Sequence, residues 1–595
     1  MRSQTVESVH NDFMYFSPAA LENALKQYLD SYGDDYLDRL AILEQLIFTA
    51  NSGFGKFNVF NLEAGLGKSV FTNTILHNYI RANIIFRRNM LIVKPFSTDV
   101  EETAEAISGK YYDNMVLGIT ANNWKTEWSS KSDKLSEYCI LIITHQRYKD
   151  LCSRPRLREK FTQGRHTMII DERINFDVSG FDENIFLDAH KAFGTWRISV
   201  KLDMVTNPLK SIVEKNRDEV NSNNRCISYD PTIDKHIYSD FREKVLQYRD
   251  VIQDNDKIKK FNTALRLLYT NKGLYYGNRI STTNPTERLW GLRNNVILDA
   301  NGSFDMSYKS NNYHPLYLED IVDHSGSKIH WVRFNSSRYK IRNRPEYFDI
   351  IVFQILMRKR NSDKVLLVIQ KEFVKKLYDK MRELGISRSD ICFNDIYSDE
   401  QFVIEHFGNL IGKNYFGDFT QVWVLGTPNL HMENYVLLWN KYTGLSYEGK
   451  DLTTKVQETL RFNDPELEQF RHNYLLGEYY QSIKRIQRNP FPKAEYYIVN
   501  KAEDLFLDIA AQLKNVQHGG LILLPLEETT IETDEIRLYN HIMSLEPGTY
   551  KKRELRQAIG SNQDFGRLAC TTSIRYLFST GKISIHSNNR KIIIN

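Results

Sequence analysis

Short apolar runs that end at glycine or acidic residues recur along the chain. Residues 58–63, NVFNLE, are a run typical of a strand, and residues 70–80, VFTNTILHNYI, place apolar side chains at helical spacing. Met168-Ile169-Ile170 is a run typical of a buried strand, and two acidic residues follow it directly. The pattern predicts a strand, a turn and a helix early in the chain, and a later strand with an acidic end.

The turn before the first helix has the composition of a phosphate-binding loop, which reads Ala64, Gly65, Leu66, Gly67, Lys68 and Ser69. Its glycines would let backbone N–H groups converge on phosphate oxygens, and the helix N-terminus adds positive charge. We expect Lys68 to reach the β- and γ-phosphates of a nucleotide and Ser69 to ligate Mg²⁺. Leu62 stands where the strict pattern has glycine. The competing interpretation is a chance Gly-Lys-Ser sequence in a turn.

The acidic strand end supplies the second half of a nucleotide site. Asp171 is expected to hold Mg²⁺, and Glu172 to orient or deprotonate the attacking water. An exposed acidic pair at a strand end is the alternative. The distance of about 100 residues from the phosphate loop suits an NTPase.

Composition excludes several classes of protein. The 595 residues are 41% hydrophobic and 26% charged, as in an ordinary globular protein, and the length allows several domains. We expect no membrane span, because the chain has no apolar run of about 18 residues. The N-terminus has no basic-then-apolar leader, so we expect no secretion signal and a cytoplasmic location. The cysteines are scattered without a CxxC pair, which argues against a zinc site, an iron–sulfur cluster or a disulfide framework.

The positive charge is concentrated near the C-terminus. Residues 541–595 carry nine Lys or Arg and three Asp or Glu, a net +6, whereas the whole chain is +5. The same region predicts three helices followed by a hairpin around Ser587-Asn588-Asn589, which is the order of a winged helix. Its expected nucleic-acid contacts are Arg567, Arg575, Lys582, Arg590 and Lys591. The alternatives are a solvated charged face, or a winged helix that docks protein or packs on the rest of the chain.

The sequence resembles the superfamily-two helicases, the DExD/H-box class. The second box of that class corresponds to Asp171-Glu172-Arg173-Ile174. Other stretches match in order, namely 90–96 (motif Ia), 141–147 (the Thr-His element), 296–303 (motif III), 364–370 (motif IV) and 406–416 (motif V). In motif III, Asn301 replaces the family's threonine. The nucleic-acid contacts that the resemblance implies are Lys94, Thr144, His145, Gly412 and Asn414.

The most discriminating match is 478–488, EYYQSIKRIQR, against the family's motif VI of the form QxxGRxxR. Gln481, Arg485 and Arg488 fit it, whereas Lys484 replaces the glycine. By resemblance, these arginines come from the second lobe, reach across a cleft and stabilise charge on the γ-phosphate. An amphipathic basic helix is the alternative. Gln45 stands where this superfamily has a glutamine that reads adenine, although a surface glutamine on a helix fits as well.

The resemblance implies an α/β fold of two RecA-like lobes with parallel sheets. The long gap between Asp171 and Asp299, with its helical periodicity, adds a helical insertion in lobe 1, and the order of the C-terminal elements adds the winged helix. The expected domains are an N-terminal helical segment (1–40), lobe 1 (41–305, with the insertion at about 180–290), lobe 2 (306–500) and a linker with the winged helix (501–595). The insertion would be a strand-separating arch or a stabilising helical decoration.

The function that follows is an ATP-dependent helicase or translocase with Mg²⁺ as its metal. DNA is favoured over RNA as its track, and the biological setting is replication, recombination or defence in a bacterium, phage or mobile element. The alternatives are a nucleotide-switched replication initiator and the motor subunit of a restriction or anti-phage complex with a protein partner. Intact Glu172, Arg485 and Arg488 argue against a pure switch.

Overall fold

The computed structural model describes residues 18–82, 88–109, 115–124, 134–193, 199–223, 225–230, 235–247, 256–393, 401–410, 415–456, 459–524, 534–561, 564–569, 574, 577–578 and 581–595. The chain divides into two compact units. Unit 1 comprises residues 1–321 and 429–477, and unit 2 comprises residues 322–428 and 478–595.

The strands of the described residues are short, as is usual in α/β proteins. They are β1 (Phe57–Phe60), β2 (Asn89–Lys94), β3 (Val116–Ile119), β4 (Ile140–Thr144), β5 (Arg165–Asp171), β6 (Val178–Phe181), β7 (Ile227–Tyr229), β8 (Gly273–Tyr276), β9 (Arg279–Thr283), β10 (Asn294–Leu298), β11 (Tyr313–Pro315), β12 (Lys328–Arg333), β13 (Val365–Ile369), β14 (Ile391–Phe393), β15 (Phe402–His406), β16 (Gln421–Val424), β17 (Thr454–Val456), β18 (Leu460–Phe462), β19 (Glu495–Asn500), β20 (Gln517–Leu523), β21 (Gly548–Lys551), β22 (Ile583–Ile585) and β23 (Lys591–Ile594).

Helices separate most of these strands. They are α1 (Pro18–Phe48), α2 (Lys68–Arg81), α3 (Ser97–Ser108), α4 (His145–Cys152), α5 (Pro155–Thr162), α6 (Glu183–Phe193), α7 (Ser199–Asn223), α8 (Lys235–Gln247), α9 (Asp256–Thr270), α10 (Arg338–Arg342), α11 (Glu346–Arg358), α12 (Val374–Glu383), α13 (Met432–Thr443), α14 (Pro465–Ile483), α15 (Glu503–Ala511), α16 (Asp534–Met543), α17 (Lys552–Ala558) and α18 (Phe565–Ala569). Among the described residues, none of these helices has the length and apolar character needed to cross a bilayer.

Unit 1 is built on a parallel sheet of seven strands in the order β11-β1-β10-β5-β2-β4-β3. Its central strands are buried on both faces, which is why they read as continuous apolar runs. The register pairs Asp171 with Leu298, so the acidic end of β5 lies level with the end of β10. The carboxyl ends of these strands form one edge of the sheet, where α/β proteins place their sites.

Unit 2 contains a second parallel sheet of seven strands, in the order β14-β15-β13-β16-β19-β12-β20. Its core joins the apolar strand β13 to helices α11 and α12, with Trp423 fully buried. Two parallel α/β sheets confirm the predicted fold class of two RecA-like lobes.

The insertion in the first lobe is not only helical. Helices α6 to α9 share a core with an antiparallel sheet of four strands in the order β6-β9-β8-β7. The prediction of a helical insertion is therefore corrected. Residues 273–283 form a hairpin because Gly277 takes up the left-handed conformation, with φ 62°, at its turn.

Residues 429–477 belong with unit 1, so the units divide the chain differently from the predicted boundaries 41–305 and 306–500. Helix α13 explains the difference, because its apolar face enters the core of the first sheet. Tyr435, Val436, Trp439 and Tyr442 of this helix pack in one cluster with residues of β1, β4 and β5. A segment that shares a hydrophobic core with a sheet belongs to the same structural unit as that sheet, whatever its position in the sequence.

The C-terminal region has a small core of its own. Helices α16, α17 and α18 pack against an antiparallel sheet in the order β21-β23-β22. Strand β21, between the first two helices, was not predicted. That this region is a winged helix, and that it binds nucleic acid, both remain predictions.

Candidate nucleotide site

The phosphate loop runs from the end of β1 to the start of α2. Gly65 and Gly67 have φ values of 90° and 70°, a region that other residues rarely adopt. Helix α2 begins at Lys68, and Gly67 is its N-cap residue. The amide groups of the first helical turn therefore face the loop without intrahelical partners, which is the arrangement that binds phosphate.

Buried contacts hold the loop in this shape. The Tyr36 hydroxyl of α1 donates a hydrogen bond of 2.9 Å to the carbonyl oxygen of Leu66. A carboxylate oxygen of Glu63 accepts a hydrogen bond of 2.8 Å from the backbone N–H of Ile321. Leu62, which replaces the glycine of the strict pattern, is buried, so its side chain contributes to the core beneath the loop.

Lys68 lies along the loop with its ammonium buried. Its Nζ donates hydrogen bonds to the carbonyl oxygens of Leu62 and, at 3.0 Å, Glu63. Burial lowers the pKa of Lys68 to about 8, although the charges of Asp171 and Asp299 oppose that shift. A buried cation at the mouth of a phosphate loop fits the β- and γ-phosphates of a nucleotide.

Asp171 ends strand β5 beside the loop. One oxygen of its carboxylate, Oδ2, lies 3.4 Å from Ser69 Oγ and 2.8 Å from Lys94 Nζ. Burial raises the pKa of Asp171, but the charge and hydrogen bond of Lys94 outweigh it, and the pKa lies below its ordinary value. An ionised carboxylate next to a hydroxyl is a donor set that fits Mg²⁺ shared with nucleotide phosphates.

Glu172 follows with a left-handed backbone, φ 64°, and its N–H donates to the carbonyl oxygen of Leu298 at 3.0 Å. Such a conformation costs a non-glycine residue on the order of 1–3 kcal/mol, and it is typical of functional sites. The neighbouring Asp299 is buried, which raises its pKa, and it accepts a hydrogen bond of 2.6 Å from the Tyr308 hydroxyl. The two aspartates at this edge of the sheet therefore differ, because the pKa of Asp171 is lowered and that of Asp299 is raised.

Three residues predicted to contact nucleic acid have other partners here. Lys94 is 4% exposed and pairs with Asp171, so its ammonium is not presented to a nucleic-acid backbone. Thr144 caps helix α4 by accepting a hydrogen bond of 3.1 Å from the N–H of Arg147. A ring nitrogen of His145, Nε2, lies 2.9 Å from the backbone oxygen of Asp171, and burial lowers the pKa of His145 to about 4. Lys94 and His145 therefore contact Asp171 at the acidic strand end, whereas Thr144 caps the helix that begins at His145.

The contacts of Arg173 could not be predicted from the sequence. Its guanidinium forms an ion pair of 2.5 Å with Asp305 and lies over the rings of Tyr442 and Tyr474. The two tyrosines come from the segment 429–477, so they could be associated with Arg173 only after the fold was known. Asn301 of the third motif is buried as well, and its N–H donates to Asp299 at 2.9 Å.

The motif VI residues lie in unit 2. Gln481 is half-buried on α14, Arg485 is buried, and Arg488 Nε donates to the carbonyl oxygen of Lys484 at 3.2 Å. Lys484, which replaces the family's glycine, is 5% exposed with its Nζ 3.1 Å from Nε2 of His324. The departure from the motif therefore places a buried lysine directly before Arg485.

The remaining predicted residues are placed as follows. Gln45 is half-buried on α1. Arg567, Lys582 and Arg590 are exposed in the C-terminal region, and Lys591 is half-buried in β23. Gly412, Asn414 and Arg575 lie outside the residues that the structure describes.

No protein-family model matches the chain, and no curated protein sequence does. Among solved structures, Xpd4 of S. tokodaii is similar at 12% identity and a TM-score of 0.48, covering 82% of this chain and 99% of that one. Helicase Lhr of Mycobacterium smegmatis, bound to ssDNA and AMP-PNP, is similar at 9% identity and a TM-score of 0.38, covering 98% of this chain and 61% of that one. Dbp5 of S. cerevisiae, bound to RNA and ADP BeF3, is similar at 10% identity and a TM-score of 0.35, covering 84% and 96%.

Proposed function

We propose that this protein hydrolyses ATP and uses the reaction to move along nucleic acid, with DNA as the favoured track. One observation carries the proposal: the phosphate loop and the acidic end of β5 meet at one edge of a parallel sheet. Ser69 Oγ and Asp171 Oδ2 are 3.4 Å apart although about 100 residues separate them in sequence. A structural turn has no need of this convergence, whereas a nucleotide hydrolase does.

The loop residues 64–69 bind the phosphates through backbone N–H groups, and Lys68 adds a positive charge. Ser69 and Asp171 would hold Mg²⁺, which neutralises charge on the phosphates when bound. Lys94 keeps Asp171 ionised and in position. Glu172, directly after it, orients or deprotonates the attacking water. Gln45 takes the adenine, as the resemblance implies.

We assign Gln481, Arg485 and Arg488 to the stabilisation of charge on the γ-phosphate, as in the helicases that the sequence resembles. Such arginines contribute on the order of 10³–10⁵ in rate. The C-terminal region would act as a winged helix on DNA through Arg567, Arg575, Lys582, Arg590 and Lys591, with Gly412 and Asn414 as further contacts. Its exposed cations support this role.

The test is ATP hydrolysis by the purified chain alone and with single-stranded DNA, duplex DNA or RNA, beside Lys68→Ala and Glu172→Gln. We expect many-fold stimulation by single-stranded DNA and no hydrolysis in either variant. Stimulation by RNA alone would correct the track. Tight DNA binding without hydrolysis under any condition would contradict the motor and favour a nucleotide-switched initiator.

A further inference from the structure

A cavity of about 310 Å³ opens at the edge of the first sheet opposite to the phosphate loop. Its lining includes Phe54 before β1, Arg158 and Thr162 before β5, and Trp290 and Arg293 before β10. The seven residues of β5 span roughly 20 Å at the usual rise of a strand. The cavity is therefore a separate place from the nucleotide site, on the same three strands.

The inner wall of the cavity contains a buried positive charge. Arg165 is 7% exposed, and its guanidinium donates hydrogen bonds to the carbonyl oxygens of Phe161 at 3.0 Å, Met90 at 2.9 Å and Leu135 at 2.6 Å. Among the described residues, it forms no ion pair with a carboxylate. A fourth carbonyl oxygen, that of Cys139, accepts at 3.2 Å. Because the charge of this guanidinium is met by carbonyl oxygens and not by a carboxylate, the cavity wall keeps a net positive charge that favours an anion.

Two further guanidinium groups lie nearer the surface. Arg158 lies over the ring of Trp290, 5.5 Å from its centre, and Arg293 is exposed. Neither has an acidic partner within ion-pair distance in the described part of the chain. Burial lowers the pKa of the nearby His166, and the charges of Arg88 and Arg293 lower it further. Arginine is the side chain best suited to phosphate, which it binds through two N–H groups.

Aromatic rings complete the lining. Phe54 is 76% exposed between Gly53 and Gly55, whose φ values of 87° and 73° turn the chain outward. A hydrogen bond of 3.0 Å from the N–H of Gly53 to the carbonyl oxygen of Arg293 ties this loop to the cavity. Trp290 is held rigidly, since it stacks on Tyr148 at 4.5 Å. An exposed ring beside arginines suits the stacking of a base next to its phosphate.

We propose that this cavity binds one nucleotide unit, with its base stacked on Phe54 and its phosphate held by Arg158 and Arg293. The unit comes either from a free mononucleotide or from a single strand of nucleic acid, since both offer the same base and phosphate. The site lies at the amino ends of β1, β5 and β10, so it is additional to the ATP site of the proposed function.

The test measures binding to the full chain with the phosphate loop saturated by AMP-PNP. AMP is titrated by calorimetry, and a short fluorescein-labelled oligothymidylate by anisotropy. Arg158→Ala and Arg293→Ala are each expected to weaken binding about tenfold, because each removes a charged phosphate contact. Arg156→Ala is the matched control, since Arg156 is exposed on the same helix as Arg158 but does not line the cavity. Phe54→Ala should weaken binding and Phe54→Tyr should retain it.

The AMP and oligothymidylate titrations distinguish a free mononucleotide from a nucleotide unit of a single strand. An effect of the variants on AMP identifies a free nucleotide, whereas an effect on the oligothymidylate without measurable AMP binding identifies a unit of a strand. If Arg158→Ala and Arg293→Ala behave like Arg156→Ala in both arms, the proposal is overturned. It is also overturned if inorganic phosphate competes as well as AMP and Phe54→Ala has no effect. Hydrolysis of ATP in the absence of nucleic acid is measured alongside and should be unchanged in all variants, so a failure here is distinguishable from failure of the proposed function.

Discussion

The two ends of strand β5 differ in how their charges are compensated. At the carboxyl end, Asp171 lies within 2.8 Å of the ammonium of Lys94 and near that of Lys68, so each buried charge there faces an opposite one. At the amino end, Arg165 is buried but donates only to backbone carbonyl oxygens. Both ends belong to the same seven residues.

Charges that face an opposite charge stabilise the fold, whereas we expect cations without an acidic partner to bind a ligand. Paired charges hold the acidic strand end in place before any nucleotide arrives, and breaking such a pair is costly. At the other end, Arg158 and Arg293 have no acidic partner among the described residues, so we expect them to contribute less to the stability of the free protein. They become favourable when an anion arrives, as binding groups commonly do.

The largest expected effect is on hydrolysis at the acidic end. Glu172→Gln removes the base that would act on water but preserves shape, so steady-state ATP hydrolysis should fall by at least about 10²-fold. Binding of a fluorescent ATP analogue should be retained. Equal loss of binding would mean that Glu172 holds the loop rather than the water.

Lys94→Met should destabilise the protein by about 3 kcal/mol, measured by urea unfolding at pH 7, because it removes the ammonium that forms the ion pair with the largely buried carboxylate of Asp171. The depressed pKa of Asp171 stabilises the fold above the unfolded pKa, and that stabilisation is lost as pH falls through the folded pKa. The difference between wild type and variant should therefore shrink as pH falls. Lys94→Arg is the control that keeps the pair, and an unchanged unfolding curve for Lys94→Met would refute the pairing.

The lowered pKa of Lys68 predicts an alkaline limit to catalysis. Binding of the nucleotide phosphates requires the protonated amine of Lys68. The value of kcat/KM for ATP should therefore fall as pH rises through about 8, the pKa of Lys68 in the protein without nucleotide. In Lys68→Arg the limit should disappear at the cost of overall rate, since arginine stays charged. A profile that stays flat to pH 9.5 in the wild type would contradict the burial of this amine.

Tyr36→Phe removes one hydrogen bond to the phosphate loop, at Leu66. We expect a loss of about 1 kcal/mol in stability and a modest rise in KM for ATP. Tyr32→Phe, on the same helix, is the comparison variant. A kcat effect without a KM effect would argue against a role in shaping the loop.

The smallest effect is expected at the amino end of β5. Arg293→Ala should leave the unfolding free energy within about 0.5 kcal/mol of wild type because Arg293 is exposed, and Arg158→Ala should cost at most about 1 kcal/mol through its contact with the Trp290 ring. Thermal and urea unfolding measure this directly. A loss as large as that of Lys94→Met would mean that these arginines are structural.

The residues of the candidate nucleotide site could be selected from the sequence because they follow short local patterns, and their role in binding nucleotide stays a prediction. Gly65, Gly67, Lys68 and Ser69 are consecutive or nearly so, and Asp171-Glu172 ends an apolar run. The two parallel lobes followed from the resemblance. What could not be predicted depends on contacts between distant segments.

Lys94 shows the limit most clearly. Its place in a motif suggested contact with nucleic acid, but only the register of β2 beside β5 reveals that its ammonium meets Asp171. The return of residues 429–477 to unit 1 depends on where the apolar face of α13 is buried. The buried amine of Lys484 likewise needs the position of His324, 160 residues away in sequence.

The most direct test of the proposed motor function is to measure movement along single-stranded DNA. The purified chain is added to single-stranded DNA that carries streptavidin on a biotinylated end, and displacement of streptavidin is followed with ATP and with AMP-PNP. We expect displacement from one end only, dependent on ATP and lost in Glu172→Gln. Hydrolysis stimulated by DNA without displacement from either end would contradict a motor that moves along its track.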